Sequence, residues 1–162
     1  MDRSLAREIA MKMLYAASLG GEESMSEVLE QSGQADTLSG KEKTFLENLV
    51  AGVQDHQQEL DEIIGRYSQG WALNRLAKVD LTILRMAVYE LKYMPEVPVG
   101  ATINEAVELA KAYGEDKSSS FINGILGAIA GSFPANEGDG AGHRYQLLHD
   151  LGRLLWPIRR PV

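Results

Sequence analysis

Apolar residues recur every three to four positions along most of this 162-residue chain, which is the period of an amphipathic helix. A first helix is predicted from about Ser4 to Leu19, ended by Gly20 and Gly21. Its predicted apolar stripe comprises Leu5, Ile9, Met13 and Ala16. Further helices are predicted around 26–31, over 41–67 with a bend where polar residues crowd at 54–59, over 78–94, over 103–113, and from 118 or 119 to 133.

The segment 78–94 is apolar on nearly every face, so it is predicted to be the central helix of the fold. Asp80, Arg85 and Glu90 interrupt this apolar surface. An unpaired buried charge is strongly destabilising, so each of the three is expected to have a partner or to lie at an exposed edge.

Capping residues and glycines indicate where helices begin and how they pack. Ser39 with Glu42, and Thr102 with Glu105, have the spacing of capping boxes. Gly124, Gly127 and Gly131 follow Ser120 at helical spacing. Since each helical glycine costs about 1 kcal/mol relative to alanine, the pattern predicts close approach by another element.

No useful strand alternation occurs, and the predicted fold class is all-α. A helical domain is predicted over residues 1–133, a linker rich in Gly, Pro, Asn and Asp over 134–142, and a C-terminal amphipathic segment over 143–162. The last segment is too apolar to remain solvated alone. It is expected to dock on its own domain, on a second copy or on a partner.

Composition restricts the compartment and the class of partner. The chain has no cysteine, which fits a reducing interior, and we expect it to be cytoplasmic. No apolar run is long enough to span a bilayer, and Glu8 and Lys12 interrupt any signal-like segment. The net charge of -7 argues against a general nucleic-acid binder, with three basic and eleven acidic residues in 21–70.

The side chains that could carry chemistry are scattered. His56, His143 and His149 lack metal-ligand spacing, so no metal or cofactor is predicted, and no phosphate-binding loop occurs. Nucleophile, base and orienting group are not found at catalytic spacing, which favours a binding protein over an enzyme. Arg3, Arg7 and Lys12 lie outside the first apolar stripe, where they form either an RNA contact or a solvated face.

Four ordered motifs resemble those of the NusB family of bacterial transcription antitermination factors. They are MLY at 13–15, W-x3-RL-x2-VD-x2-ILR-x3-YEL at 71–91, INEAVELAK at 103–111 and FINGIL at 121–126. The resemblance covers residues 3–133 and implies a fold of two packed helical bundles, here with an extra C-terminal helical appendage.

The resemblance also implies a function. Members of the family bind the boxA element of ribosomal RNA leader transcripts as single-stranded RNA, jointly with the small-subunit ribosomal protein NusE, within the transcription elongation complex. They are not enzymes. The family's RNA surface maps here to Arg3, Arg7, Lys12, Tyr15, Arg85, Lys117 and Ser118, and its partner surface maps to Asp80, Tyr89 and Phe121.

Two alternatives remain open at this point. The chain could be a NusB-like protein-interaction module with little RNA binding of its own. The C-terminal segment could also be an oligomerisation arm that forms a homodimer and masks the RNA face.

Overall fold

A computed structural model describes residues 3–20, 22–68 and 72–132. Within these ranges every regular element is a helix. The helices are α1 (Arg3–Gly20), α2 (Glu22–Gln31), α3 (Gly40–Asp55), α4 (Gln57–Tyr67), α5 (Lys78–Tyr93), α6 (Val99–Tyr113) and α7 (Ser118–Gly131), with short 3₁₀ turns at Ala35–Thr37 and Leu73–Arg75. The all-α prediction is confirmed, whereas the predicted linker and C-terminal segment lie outside the described residues.

The predicted bend in the 41–67 segment is a break between α3 and α4 at His56. The backbone N–H of His56 donates to the Gly52 carbonyl at 3.0 Å, and its ring Nδ1 lies 2.9 Å from the same oxygen. At the other end of α3, the predicted capping box is present. The Ser39 backbone N–H donates to Glu42 Oε1 at 2.7 Å, and the Glu42 N–H donates to Ser39 Oγ at 3.1 Å.

Helix α5 is central, as predicted, because it joins two groups of helices. α1 packs against α2 and α3, while α6 and α4 pack against α7; α5 contacts α1, α3, α4, α6 and α7. The buried apolar residues form a single cluster that runs through both groups. This arrangement matches the two packed bundles expected from the resemblance.

The charges on α5 have partners among other helices. Arg85 donates to both carboxylate oxygens of Asp61 on α4, at 2.7 and 3.0 Å. Lys92, which the sequence did not single out, is 3% exposed and pairs with Glu59 of α4. The ion pairs therefore fasten α4 to α5 in addition to the apolar contacts.

The predicted capping box of Thr102 and Glu105 is wrong. α6 begins at Val99 after Pro98, so Thr102 lies inside the helix. Its hydroxyl donates to Glu90 Oε1 at 2.9 Å, and Glu105 accepts a hydrogen bond from the Ser4 hydroxyl at 2.8 Å. Proline fixes an extended backbone before the helix and so sets its start four residues earlier than the capping pattern predicts.

The predicted glycine-mediated approach is also wrong for the described residues. Gly124, Gly127 and Gly131 are exposed, and a Cβ added to any of them would meet no heavy atom within 4 Å. Close approach occurs instead at Gly52, where an added Cβ would lie 2.1 Å from Cζ of Tyr89. Sequence spacing cannot distinguish these cases, because the approach depends on which helix lies opposite.

Candidate nucleic-acid interface

Arg7 lies inside the fold. It is 5% exposed, and its Nε and Nη2 donate to the two carboxylate oxygens of Glu90 at 2.8 Å each. Its guanidinium also lies 5.0 Å from the centroid of the Phe45 ring. The prediction that Arg7 belongs to an exposed cationic face is therefore wrong, because its charge is used to join α1 to α5.

Ser118 is also buried. Its hydroxyl donates to Asp80 Oδ2 at 3.0 Å and accepts the backbone N–H of Glu115 at 2.9 Å. Asp80 itself is 8% exposed, and its Oδ1 has no hydrogen-bond partner among the described residues. Burial raises the pKa of the Asp80 carboxyl, against the lowering effect of the Ser118 hydrogen bond. Ser118 thus joins the N-termini of α5 and α7 and does not present its hydroxyl to a ligand.

Lys12 is exposed and belongs to a small polar cluster between α1 and α6. Its Nζ lies 3.3 Å from Glu8 and 5.3 Å from the centroid of the Tyr113 ring. The Tyr113 hydroxyl donates to Glu8, which lowers the pKa of the Glu8 carboxyl and raises the pKa of Tyr113. The tyrosine is 39% exposed, so an aromatic face is available beside a lysine.

Two further residues, Tyr15 and Lys117, belong to this cluster by their place along the chain. Tyr15, three residues after Lys12, shares its face of α1 and is half-buried. Lys117 is exposed immediately before α7, four residues after Tyr113. We call Lys12, Tyr15, Tyr113 and Lys117 the cationic rim. Cations beside accessible aromatic rings form the combination that binds single-stranded nucleic acid by phosphate contact and base stacking.

A polar groove of about 330 Å³ lies between the C-terminal half of α1, the break after α3 and the first half of α5. Ser18, Lys78 and Arg85 contribute to its walls. Lys78 is exposed, whereas Arg85 is half-buried and held by Asp61. The groove therefore adds one exposed lysine to this end of the molecule.

Arg3 lies apart from the rim. It is half-buried at the start of α1 with its guanidinium 4.5 Å from the centroid of the Phe45 ring, in a concavity shared with Lys41 and Glu96. Nine residues of helix, about 13 Å, separate it from Lys12. The predicted RNA-binding residues are thus divided among the rim, the polar groove, the interior and the start of α1.

The three predicted partner-binding residues do not form one patch. Asp80 is directed to α7 through Ser118, whereas Tyr89 packs on Gly52 of α3 and lies 5.1 Å, between ring centroids, from Tyr93. Phe121 is half-buried against the core. A single partner that contacts Phe121 could not contact all three residues, because Asp80 is buried and Tyr89 lies on a different side of α5.

Tyr113 and Lys78 are the surface residues that the sequence pattern did not select. Tyr113 is the last residue of α6 and Lys78 the first residue of α5. Both positions follow from the helix boundaries, but their exposure depends on how α1, α6 and α7 pack. In the sequence, the one sign of an exposed ring at this position is that Tyr113 stands directly before Gly114, at the predicted end of a helix.

Within the described residues, no group of three or more His, Cys, Asp or Glu side chains is arranged to hold a metal ion. Helices long and apolar enough to cross a membrane are likewise not found in the part of the chain that the structure describes.

Comparison with known proteins gives a consistent assignment. A model described as the NusB family matches residues 4–131. Transcription antitermination protein NusB of Thermoanaerobacter sp. (strain X514) is 44% identical over 139 residues, which cover 86% of this chain and 97% of the relative.

Solved structures agree with this assignment. NusB from T. maritima matches with a TM-score of 0.73 and 30% identity, covering 90% of this chain and 98% of that chain. A crystal structure of the antitermination factors NusB and NusE in complex with dsRNA matches with a TM-score of 0.72 and 30% identity, over 81% of this chain and 97% of that chain. With the family model spanning α1 to α7, these matches show that the chain belongs to the NusB family.

Proposed function

We propose that this chain binds boxA-type single-stranded RNA of ribosomal RNA leader transcripts together with the small-subunit ribosomal protein NusE. In this proposal it is a non-enzymatic component of the transcription elongation complex in the cytoplasm. Family membership supports the role, and the similar structure of NusB and NusE in complex with dsRNA supports NusE and RNA as partners. The single-stranded boxA form of the RNA is what the family resemblance implies.

The cationic rim is the observation that carries the RNA proposal. Lys12 and Lys117 can contact phosphates, and Tyr113 presents an exposed ring on which a base can stack. The N-termini of α5 and α7 lie at the same end of the molecule, joined by Asp80 and Ser118, and helix N-termini favour anions. The two lysines, the exposed ring and the two helix N-termini support an RNA contact at this end of the molecule, although the exposed Glu115 and Asp116 lie directly before Lys117.

The rim is weakly charged for an RNA surface, which supports a contribution of the protein partner to RNA binding. Arg7 is neutralised by Glu90 and Lys12 lies beside Glu8. Few phosphate contacts mean low affinity and a shallow dependence on salt. A ribosomal protein that binds the same RNA supplies additional cationic groups, and Phe121 on α7 is our proposed contact with it.

The first test measures RNA affinity with and without the partner. A labelled boxA RNA is titrated with the full chain across a salt series, alone and with equimolar NusE. We expect tighter binding and a steeper salt slope with NusE. Unchanged affinity would contradict the joint site.

The second test compares matched substitutions on the surface. Lys117→Glu is expected to weaken RNA binding and lower the salt slope by about 0.7, the value for one phosphate contact on a single strand. Lys111→Glu is the control, because Lys111 is an exposed lysine two residues before Tyr113 and so faces away from it along α6. Far-UV circular dichroism of both variants separates a loss of RNA contact from a loss of folding.

Substitutions of Tyr113 separate stacking from hydrogen bonding. Tyr113→Ala removes the ring and is expected to weaken RNA binding by about 1 kcal/mol or more, at least roughly fivefold. Tyr113→Phe keeps the ring and loses only the contacts of the hydroxyl with Glu8 and Lys12, so it should bind RNA almost as well as the parent chain. Equal losses in both variants would refute base stacking at this position.

The burial of Arg7 favours one second candidate, a protein-interaction module with little RNA binding of its own, because it removes one of three cations from the N-terminal helix. In that case NusE binds with unchanged affinity in the presence or absence of RNA. The salt series above would then show no salt-sensitive RNA binding.

A further inference from the structure

A separate apolar groove lies on the side of the fold formed by α1, α2 and α3. It encloses about 640 Å³, within the range of pockets that bury a ligand. Its apolar lining includes Met13, Leu29, Leu38, Leu46 and Val50. We call it the α1–α3 groove.

The rim of the α1–α3 groove is acidic. Among its described lining residues, Glu30, Asp36 and Glu47 are acidic and Lys43 is basic. Two further concavities of the described residues differ in this respect, since one carries Lys78 and Arg85 and the other carries Arg3 and Lys41. A cationic apolar segment would therefore prefer the α1–α3 groove on electrostatic grounds.

The chain contains a segment with these properties outside the described residues. Residues 143–162 include four arginines and one aspartate. Leu147, Leu148, Leu151, Leu154 and Leu155 have the spacing i, i+1, i+4, i+7 and i+8, which predicts one continuous apolar stripe on a helix. A helix of this length is marginal in water unless its apolar face packs against something.

The tether between the helical domain and this segment is long compared with the helices of the domain. The ten residues 133–142 span up to about 35 Å when extended. For comparison, α1, with 18 residues, is about 27 Å long. The family match ends at residue 131, so the groove and the segment are joined by a tether that lies beyond the shared domain.

We propose that residues 143–160 dock in the α1–α3 groove of the same molecule, with 143–156 as an amphipathic helix whose leucine stripe lies on the apolar floor, and with Arg144, Arg159 and Arg160 at its two ends toward the acidic rim. This is the recognition mode in which a helix lays its apolar face into a groove. The inference does not depend on RNA binding, because the groove shares no lining residue with the cationic rim.

Disulfide cross-linking tests the proposal directly, since the chain has no cysteine of its own. Ala51 is an exposed residue of α3 that lines the groove, and Ala51→Cys is combined in the full chain with Cys at each stripe leucine in turn. A disulfide requires Cα atoms about 4.4–6.8 Å apart, so only the residues seated nearest Ala51 should react. The control is Ala128→Cys, an exposed position on α7 that is closer to the segment along the chain.

We expect mild oxidation to give a cross-linked monomer, at least about fivefold faster for the best Ala51 pair than for the matching Ala128 pair. A product of dimer mass would overturn the proposal and assign the groove to the segment of a second copy. Equal rates for Ala51 and Ala128 would also overturn it, because they would show no preference for the groove.

A charge reversal provides the second measurement. Glu47→Lys on the groove rim should slow the Ala51 cross-link at low salt by at least about threefold. Glu96→Lys, an exposed residue in the concavity near Arg3, makes the same change of charge away from the groove and should leave the rate unchanged. Equal effects of the two substitutions would contradict docking against the acidic rim.

Discussion

The buried pair between Arg7 and Glu90 allows a quantitative test of the assignment of Arg7 to the interior. Arg7→Met keeps the aliphatic length of the side chain but removes the guanidinium, which leaves the Glu90 carboxylate in the core facing the Thr102 hydroxyl. The perturbation is severe because the two residues are 5% and 2% exposed. Water can therefore do little to replace the lost partner.

The expected loss of stability follows from this burial. Removing one partner of a buried ion pair destabilises a protein by about 3–5 kcal/mol, since the remaining charge has no compensation. Replacing both residues together leaves no such charge. The double variant, Arg7→Met with Glu90→Met, should therefore lose much less unfolding free energy than the sum of the two single losses. The difference, which is the coupling energy, should be about 2 kcal/mol or more.

Urea denaturation followed by far-UV circular dichroism provides the four free energies of unfolding for this cycle. RNA binding is measured on the double variant, whose net charge equals that of the parent chain. We expect its RNA affinity and salt slope to be unchanged, because Arg7 does not reach the surface. A loss below about 1 kcal/mol for Arg7→Met, or a lower salt slope in the double variant, would refute the structural role.

Three further predictions address packing, ionisation and capping. Gly52→Ala should destabilise the fold, because the added methyl group would displace Tyr89 from its ring contacts. Gly127→Ala places the methyl group in open space and should stabilise the fold by up to about 1 kcal/mol. Unfolding midpoints of the two variants that shift in the same direction would contradict this. The folded chain holds the Asp80 proton more tightly than the unfolded chain does, because folding raises the pKa of this carboxyl. Asp80 therefore contributes less stability as the pH rises above about 4. The unfolding free energy of the parent chain, relative to that of Asp80→Asn, should fall with increasing pH. A difference that stays constant from pH 3.5 to 7 would exclude the raised pKa. Ser39→Ala should cost about 1 kcal/mol by removing the capping box of α3, and thermal melting with Ser120→Ala as an exposed control checks it.

Local patterns determined much of the fold. The three-to-four-residue spacing predicted the helices of the described residues, and the polar stretch near His56 marked the break between α3 and α4. The nearly uniform apolar surface of 78–94 predicted the central position of α5. These features depend on residues that are close in sequence, and the helical period fixes which face of the helix each of those residues occupies.

Local patterns failed where a distant element competes for a residue. Thr102 has the spacing of a cap but its hydroxyl is recruited by Glu90 of α5, and Pro98 begins the helix earlier. Arg7 lies outside the predicted stripe, yet it is buried because a carboxylate lies opposite. The apolar face of α1 is accordingly centred on Ala6, Ile9, Ala10 and Leu14, while Met13 lines the α1–α3 groove.

The sequence alone determined the helical class, the order of the helices and, through its ordered motifs, the resemblance that the comparisons confirm. Only the tertiary structure decided which cations reach the surface. It buried Arg7 and Ser118 in polar contacts and brought Tyr113 beside Lys12. The physical reason is that periodicity fixes which side of a helix a residue occupies, whereas exposure and charge depend on the helix that packs against that side.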